Sequence, residues 1–147
     1  MSYNLIVIGS GPGGYVAAIR GSQLGMKVAI VEKESLGGVC LNWGCIPTKA
    51  LLKSAQVFDY VNHSTNYGIQ IKESSIDFKS IISRSRGVAD GMSKGVNYLM
   101  KKNKIDVLSG FGKIVSKNEV EVIDDKNKKK LFKTDNIIIA TGGKSME

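Results

Sequence analysis

The residues that most limit what this chain can fold into are Gly9-Ser-Gly11-Pro12-Gly13-Gly14, a glycine cluster set between two segments of different period. Before it, Asn4 to Ile8 is a short continuous apolar run rich in β-branched residues, the pattern of a strand buried on both faces of a parallel sheet. After it, Tyr15 to Leu24 carries Ala17, Gly21 and Leu24 at helical spacing, with Gly25 where a C-terminal cap belongs. Lys27 to Glu32 reads as a second strand. Strand, helix and strand within about thirty residues make a right-handed βαβ unit. In that context the cluster matches G-x-G-x-x-G: Gly9 for the tight turn, Gly11 so that the backbone can approach a pyrophosphate, and Gly14 so that the helix can pack on the strand. Pro12 and Gly13 complete the loop, and the helix N-terminus offers partial positive charge to phosphates. Glu32, with Lys33 beside it, lies 18 residues after Gly14, placed to accept hydrogen bonds from a ribose 2′-hydroxyl. The other reading of the same residues is a tight βα turn with no ligand.

Further along, a loop at Ser35 to Gly38 precedes a helix over Cys45 to Val61, with Leu51, Leu52, Ala55, Phe58 and Val61 as its stripe. Tyr67 to Ile71 predicts a short edge strand, and a long helix follows from Ile76. Gly87, Gly91 and Gly95 recur in that helix at four-residue intervals, which suggests close packing of a neighbour against it. From Ile105 the pattern becomes that of a β-meander: Ile105 to Leu108, Gly112 to Val115, Glu119 to Ile123 and Leu131 to Lys133, then a buried-type strand over Asn136 to Thr141 that runs into Gly142 and Gly143.

The remaining composition excludes more than it assigns. A net charge of +8 invites a nucleic-acid reading, but the lysines concentrate between Lys94 and Lys133, with Lys126 to Lys133 following Asp124 and Asp125 at what reads as a hairpin tip. No recognition-helix spacing or aromatic pattern accompanies them, so a solvated turn is expected and no nucleic-acid partner. No run approaches the roughly 18 apolar residues of a membrane span. Nor does the start of the chain read as a secretory signal, so a cytoplasmic location is expected. Cys40, Cys45 and His63 are one ligand short of a closed zinc site, so no metal is expected.

In a reducing compartment a cysteine pair is more often catalytic or metal-binding than structural. Cys40-Leu-Asn-Trp-Gly-Cys45 alone could hold two unrelated buried thiols, but it lies just after the second strand, behind Gly37 and Gly38, with Cys45 at a helix N-terminus. That position favours a thiolate, and two thiols a helical turn apart can close a disulfide and exchange it with a substrate. A dinucleotide beside a redox dithiol implies a flavin.

Gly37-Gly-Val-Cys-Leu-Asn-Trp-Gly-Cys-Ile-Pro-Thr-Lys49 resembles the redox-disulfide motif of the flavoprotein pyridine-nucleotide disulfide oxidoreductases, and within them the dihydrolipoamide dehydrogenase branch. Glutathione and mercuric reductases usually carry Val-Asn-Val inside the loop, where this chain has Leu-Asn-Trp. Val39 stands where threonine is frequent. Ser109-Gly-Phe-Gly-Lys113 and Ile137-Ile-Ile-Ala-Thr-Gly142 are similar to two further segments that meet the flavin nucleotide in that family, although Gly143 stands where serine or alanine is usual.

The resemblance implies a Rossmann-type, FAD-binding α/β fold: a parallel sheet with an inserted β-meander, incomplete relative to the family, with residues 1–147 as the N-terminal part of the FAD domain. It implies Cys40 as the interchange thiol, Cys45 as the charge-transfer thiol and Lys49 beside the flavin. Gly38, Val39, Gly112, Ala140, Thr141 and Gly142 join the glycine loop and Glu32 as cofactor contacts. It implies the oxidation of dihydrolipoamide by NAD, with the lipoyl domain of a 2-oxo-acid dehydrogenase complex as partner and a dimer as the assembly. The family's second glycine fingerprint, its NAD and interface domains and its catalytic histidine have no counterpart in the 147 residues, and His63 reads as a helix-end surface residue. The expectation is therefore a flavin-and-dithiol portion that does not complete the reaction, folds as a monomer or aggregates, and has as its alternatives a non-catalytic nucleotide-binding protein or a piece of another disulfide reductase.

Overall fold

A computed structural model describes residues 2–143; Met1 and residues 144–147, where the sequence runs on past Gly143, lie outside the described residues. Six strands form one sheet in the order β3-β2-β1-β6-β5-β4. β1 (Ser2–Ile8), β2 (Val28–Glu32), β3 (Asp106–Ser109) and the far half of β6 (Lys129–Ile139) run parallel. β4 (Phe111–Ser116), β5 (Glu119–Ile123) and the near half of β6 form the antiparallel meander. The expected α/β fold with a parallel sheet and an inserted meander is therefore present, and the meander is continuous with the sheet through β6.

Alternation along the central strands sorts their side chains into two cores. Leu5, Val7, Val28 and Ile30 point to α1 (Pro12–Gln23) and to Val96 and Met100 of α4 (Phe78–Lys102). Ile6, Ile8, Ala29 and Val31 point to Val120 and Val122 of the meander, and Tyr3 joins them out of alternation, because Asn4 and Leu5 both donate their N–H to the Lys27 carbonyl. Being covered on both faces is why β1 and β2 read as unbroken apolar runs. The meander lies close on the sheet because Gly112 has no side chain: a Cβ there would stand 3.0 Å from Ile8 and 3.1 Å from Val31.

Several expectations change. Tyr67 to Ile71 is not a strand. Ser64–Tyr67 closes in a 3-10 turn that ends at Gly68 with φ +73, and Tyr67, Ile69 and Ile71 are exposed, with β3 already occupying that edge of the sheet. The two strands expected at 131–133 and 136–141 are one, β6. The polar Thr134, Asp135 and Asn136 do not break it, because there it changes partner from β5 to β1: Glu119 pairs with Lys133, and Lys133 with Ser2. The loop expected after Ser35 contains a short helix, α2 (Gly38–Asn42), before α3 (Cys45–Asn62). Gly87, Gly91 and Gly95 do not mark close packing, since a Cβ at any of them would meet nothing within 4 Å.

Other readings stand. α4 is continuous over 25 residues, opened by the Asp77 carboxylate, which accepts the Ser80 N–H at 3.0 Å and is held below its usual range chiefly by the Ser80 hydroxyl. His63 caps the end of α3, exposed beside Asp59. The lysine cluster sits at the β5–β6 turn, folded around Asp124, which accepts the backbone N–H of Lys126 and of Lys128. Among the described residues no helix is long and apolar enough to cross a membrane.

Candidate functional site

The site lies at the carboxyl ends of β1, β2 and β6, where ligands bind in open α/β sheets. The backbone N–H of Gly9 is tied to Val31 at 2.8 Å, and that of Ala140 to Ile8 at 2.8 Å, so the glycine loop starts between two strand ends. Gly9 has φ +98, and a side chain there would run into the Ala140 carbonyl. Gly14 is buried against the Gly9 carbonyl. Pro12 opens α1; it has no N–H, and the N–H groups of Gly13 and Gly14 precede the first helical bond, Tyr15 to Gly11 at 3.0 Å. No acidic side chain lies in this first turn, no side chain caps it, and the faces of Gly11 and Gly13 are open. Free donors, an unopposed dipole and open space suit a pyrophosphate.

Glu32 ends β2 with its carboxylate already oriented. Its Oε2 accepts from the Ser10 N–H at 3.0 Å and from the Ser10 hydroxyl at 2.6 Å, and its Oε1 accepts the Glu34 N–H at 2.9 Å. Two carboxylate oxygens have about four acceptor positions, so capacity for a ribose hydroxyl remains. A cavity of about 460 Å³ opens beside it, bordered by Glu32, Ser35 and Leu36, by Ser109 of β3 and by Ser93 and Lys94 of α4. Lys33 points into solvent and pairs with Glu34 at 3.5 Å.

The cysteine segment is laid directly on the glycine loop. Gly38 has φ +61, and a Cβ there would stand 2.8 Å from the Gly11 Cα, so only glycine permits this approach. The Gly37 N–H is shared between the Ser10 carbonyl at 3.1 Å and the Ser10 hydroxyl at 3.2 Å. Val39 and Cys40 follow on α2, which closes as the Trp43 and Gly44 N–H groups donate to Val39; α3 then opens with Cys45. Cys40 and Cys45 are both free thiols, the first half-buried and the second exposed. A hydrogen bond to the Cys45 side chain pushes the Cys40 thiol up, with burial and the Cys45 charge adding to it; the Cys45 N–H and the Lys49 ammonium oppose. Lys49 stands one turn along α3 from Cys45, exposed.

Gly9 to Gly14, Glu32, Gly38 and Ala140 thus meet in one region, with Cys40 two residues beyond Gly38, Cys45 and Lys49 exposed on α3, and Thr141 and Gly142 following Ala140 on the surface. Gly112 is turned into the packing between meander and sheet. The residue of that segment that meets Glu32 is Gly110, whose N–H donates to the Glu32 carbonyl at 2.8 Å. Ser10 is the residue sequence reasoning missed. It is fully buried, and its one signal was its place inside the glycine motif.

Residues 3–147 match the family model described as pyridine nucleotide-disulphide oxidoreductase. The chain is 57% identical to a dihydrolipoyl dehydrogenase of Rhizobium etli over 82% of its own length and 25% of the relative's. It is 52% identical to one of Acholeplasma laidlawii, over 98% and 42% of the two lengths. With one of Zymomonas mobilis the identity is 46%, over 99% and 31%. The chain therefore spans a quarter to about two fifths of the length of these relatives.

Proposed function

Because the chain belongs to the pyridine nucleotide-disulphide oxidoreductases, we propose that these residues are the FAD-binding, dithiol-bearing part of a dihydrolipoyl dehydrogenase. The observation that carries this reading is the contact of Gly38 with Gly11, which stacks the Cys40 helix on the loop built for a pyrophosphate. A dinucleotide held by that loop lies against the residues that bear the thiols.

The α1 N-terminus and the N–H groups of Gly13 and Gly14 hold the phosphates; Glu32 takes a ribose hydroxyl. Gly38, Val39, Lys49 and Ala140 to Gly142 line the path from loop to thiols. When bound, FAD supplies a two-electron acceptor beside the pair. The chain's own chemistry is thiol–disulfide exchange. A thiolate of dihydrolipoamide attacks the Cys40 sulfur of the oxidised pair, and Cys45 leaves as thiolate. The second substrate thiol then attacks the mixed disulfide, lipoamide closes its ring, and Cys40 leaves and takes up a proton. Two electrons and both substrate sulfurs are accounted for. Because Cys40 holds its proton tightly, the reverse attack on lipoamide needs a base, and His63, exposed at the end of α3, is not placed to act as one.

Similarity to dihydrolipoyl dehydrogenases supports NAD as the final acceptor and a lipoyl domain of a 2-oxo-acid dehydrogenase complex as the partner in the whole protein, with the dimer and the cytoplasmic location that the family implies. These 147 residues carry no second glycine fingerprint, so by themselves they are expected to bind FAD without completing the reaction. Reconstitution with FAD should give a stoichiometric flavin absorbance that survives gel filtration, and no NADH-dependent reduction of lipoamide. Absence of bound flavin would overturn the cofactor reading and leave the non-catalytic alternative; turnover would overturn the incompetence of the 147 residues.

A further inference from the structure

Asn42 lies between the two cysteines, and every polar group of its side chain is engaged. Its amide donates to the Gly38 carbonyl at 2.9 Å and to the Leu36 carbonyl at 3.1 Å, across the length of α2. Its Oδ1 accepts the Ser93 hydroxyl at 2.8 Å, a hydroxyl that also lies 3.1 Å from the Leu36 carbonyl that Asn42 itself binds, and its own carbonyl accepts the Arg86 guanidinium at 2.9 Å. Ser93 and Arg86 both belong to α4, 51 and 44 residues along the chain. A helix of five residues has no stability of its own. Gly37 on Ser10 and Leu41 in the core anchor the start and the inner face of α2, and the Asn42 clamp fastens its last turn to α4, next to Cys40 and to the turn that leads to Cys45.

We propose that Asn42, fastened to α4 by Ser93 and Arg86, is a positioning residue that sets the disulfide–dithiol equilibrium of Cys40 and Cys45. The inference rests on reading the two cysteines as a redox pair. Ring closure between two thiols depends on their effective concentration, which rises as the relative motion of their backbones falls. A clamped α2 keeps the pair within reach, so the disulfide resists reduction. Released from α4, α2 samples positions from which the thiols do not meet, and the open dithiol gains.

Equilibration of the 147-residue chain with glutathione tests this: the Cys40–Cys45 disulfide plus two glutathione thiols gives two protein thiols plus glutathione disulfide, read by thiol trapping and mass spectrometry. Ser93→Ala, a single hydroxyl on a long helix, is expected to lower the equilibrium constant for forming the protein disulfide about threefold to tenfold, the range of one lost hydrogen bond. Ser93→Thr, which keeps the hydroxyl, is expected to restore it. Asn42→Ala removes more of the clamp and is expected to exceed Ser93→Ala; should it fail to fold, the serine pair decides. A folded Ser93→Ala chain with an equilibrium constant within about twofold of the parent, or a Ser93→Thr chain as far displaced as Ser93→Ala, overturns the positioning role while leaving the redox pair intact. A parent chain that forms no disulfide with glutathione overturns the redox pair and the inference with it.

Discussion

Ser10 joins three parts of the site through one hydroxyl and one amide: it orients Glu32, receives Gly37, and occupies the turn between β1 and α1. Removing the hydroxyl takes one donor from the half-buried Glu32 carboxylate and one acceptor from the buried Gly37 N–H. Ser10→Ala is expected to cost about 1–3 kcal/mol of stability, seen as a lower urea midpoint at unchanged slope. At Cys40 the relevant quantity is reactivity. The thiolate is the nucleophile, and the Cys45 side chain keeps Cys40 protonated to a pH above the ordinary thiol range. Alkylation of the Cys40 peptide, followed against pH, should therefore rise late. In Cys45→Ala, with the hydrogen bond and the neighbouring charge gone, the profile should move to lower pH; an unchanged profile would count against the contact between the thiols.

At the scale of elements, α4 does two jobs with different parts of its surface. Ser85, Ala89, Val96 and Met100 are buried, whereas Phe78, Ile82, Val88 and Met92 are exposed along with the glycine row. With open space at Gly91, Gly91→Ala adds no clash and removes the entropic penalty of glycine in a helix. It should stabilise the chain by about 0.5–1 kcal/mol and raise the melting temperature; a loss of stability would mean that something packs there.

The βαβ unit was legible because each segment announces itself: a β-branched run, a glycine turn, a helical stripe, a second run. The Gly11–Gly38 meeting was half legible: the sequence marks each glycine by its motif but not their contact. What could not be read depended on distant partners. The continuity of β6 through Thr134 and Asp135 is one case: it rests on pairing with β1, where the Asn136 amide donates to the Asn4 carbonyl at 3.1 Å, 132 residues away. Ile69 and Ile71 look like a strand until no sheet edge is found for them. Gly112, expected at the flavin, packs against Ile8 and Val31, and the residue of its segment that reaches Glu32 is Gly110.

At the scale of the whole molecule, the parallel sheet is sandwiched between a helical layer and the meander, and Tyr3 ties its edges together. The Tyr3 hydroxyl donates to the Asp106 carboxylate on β3 at 3.0 Å, its ring meets Phe132 of β6 at 6.2 Å between centroids, and the Lys27 ammonium lies 5.2 Å from its ring centroid. Burial, the hydrogen bond to Asp106 and the charge of Asp106 raise its phenol from the ordinary 10 to about 12. A folded-state value above the unfolded one contributes stability that is complete below about pH 10 and is lost as pH rises toward about 12. Urea midpoints of the parent chain should therefore fall across that window, and those of Tyr3→Phe should fall less; parallel declines would remove Tyr3 as the cause.

The pairing of β1 with β6 also has a meaning in time. Ser2 and Lys133, neighbours in the sheet, are separated by nearly the whole chain. At ribosomal rates of about 5–20 residues per second, β1 waits on the order of ten seconds for that partner. During the wait β2 can cover one edge, and the other edge of a strand whose last four residues are all buried and apolar stands open. A nascent chain of this kind is a natural client for a chaperone that shields unpaired strand edges, and a pause in translation between β5 and β6 would lengthen its exposure.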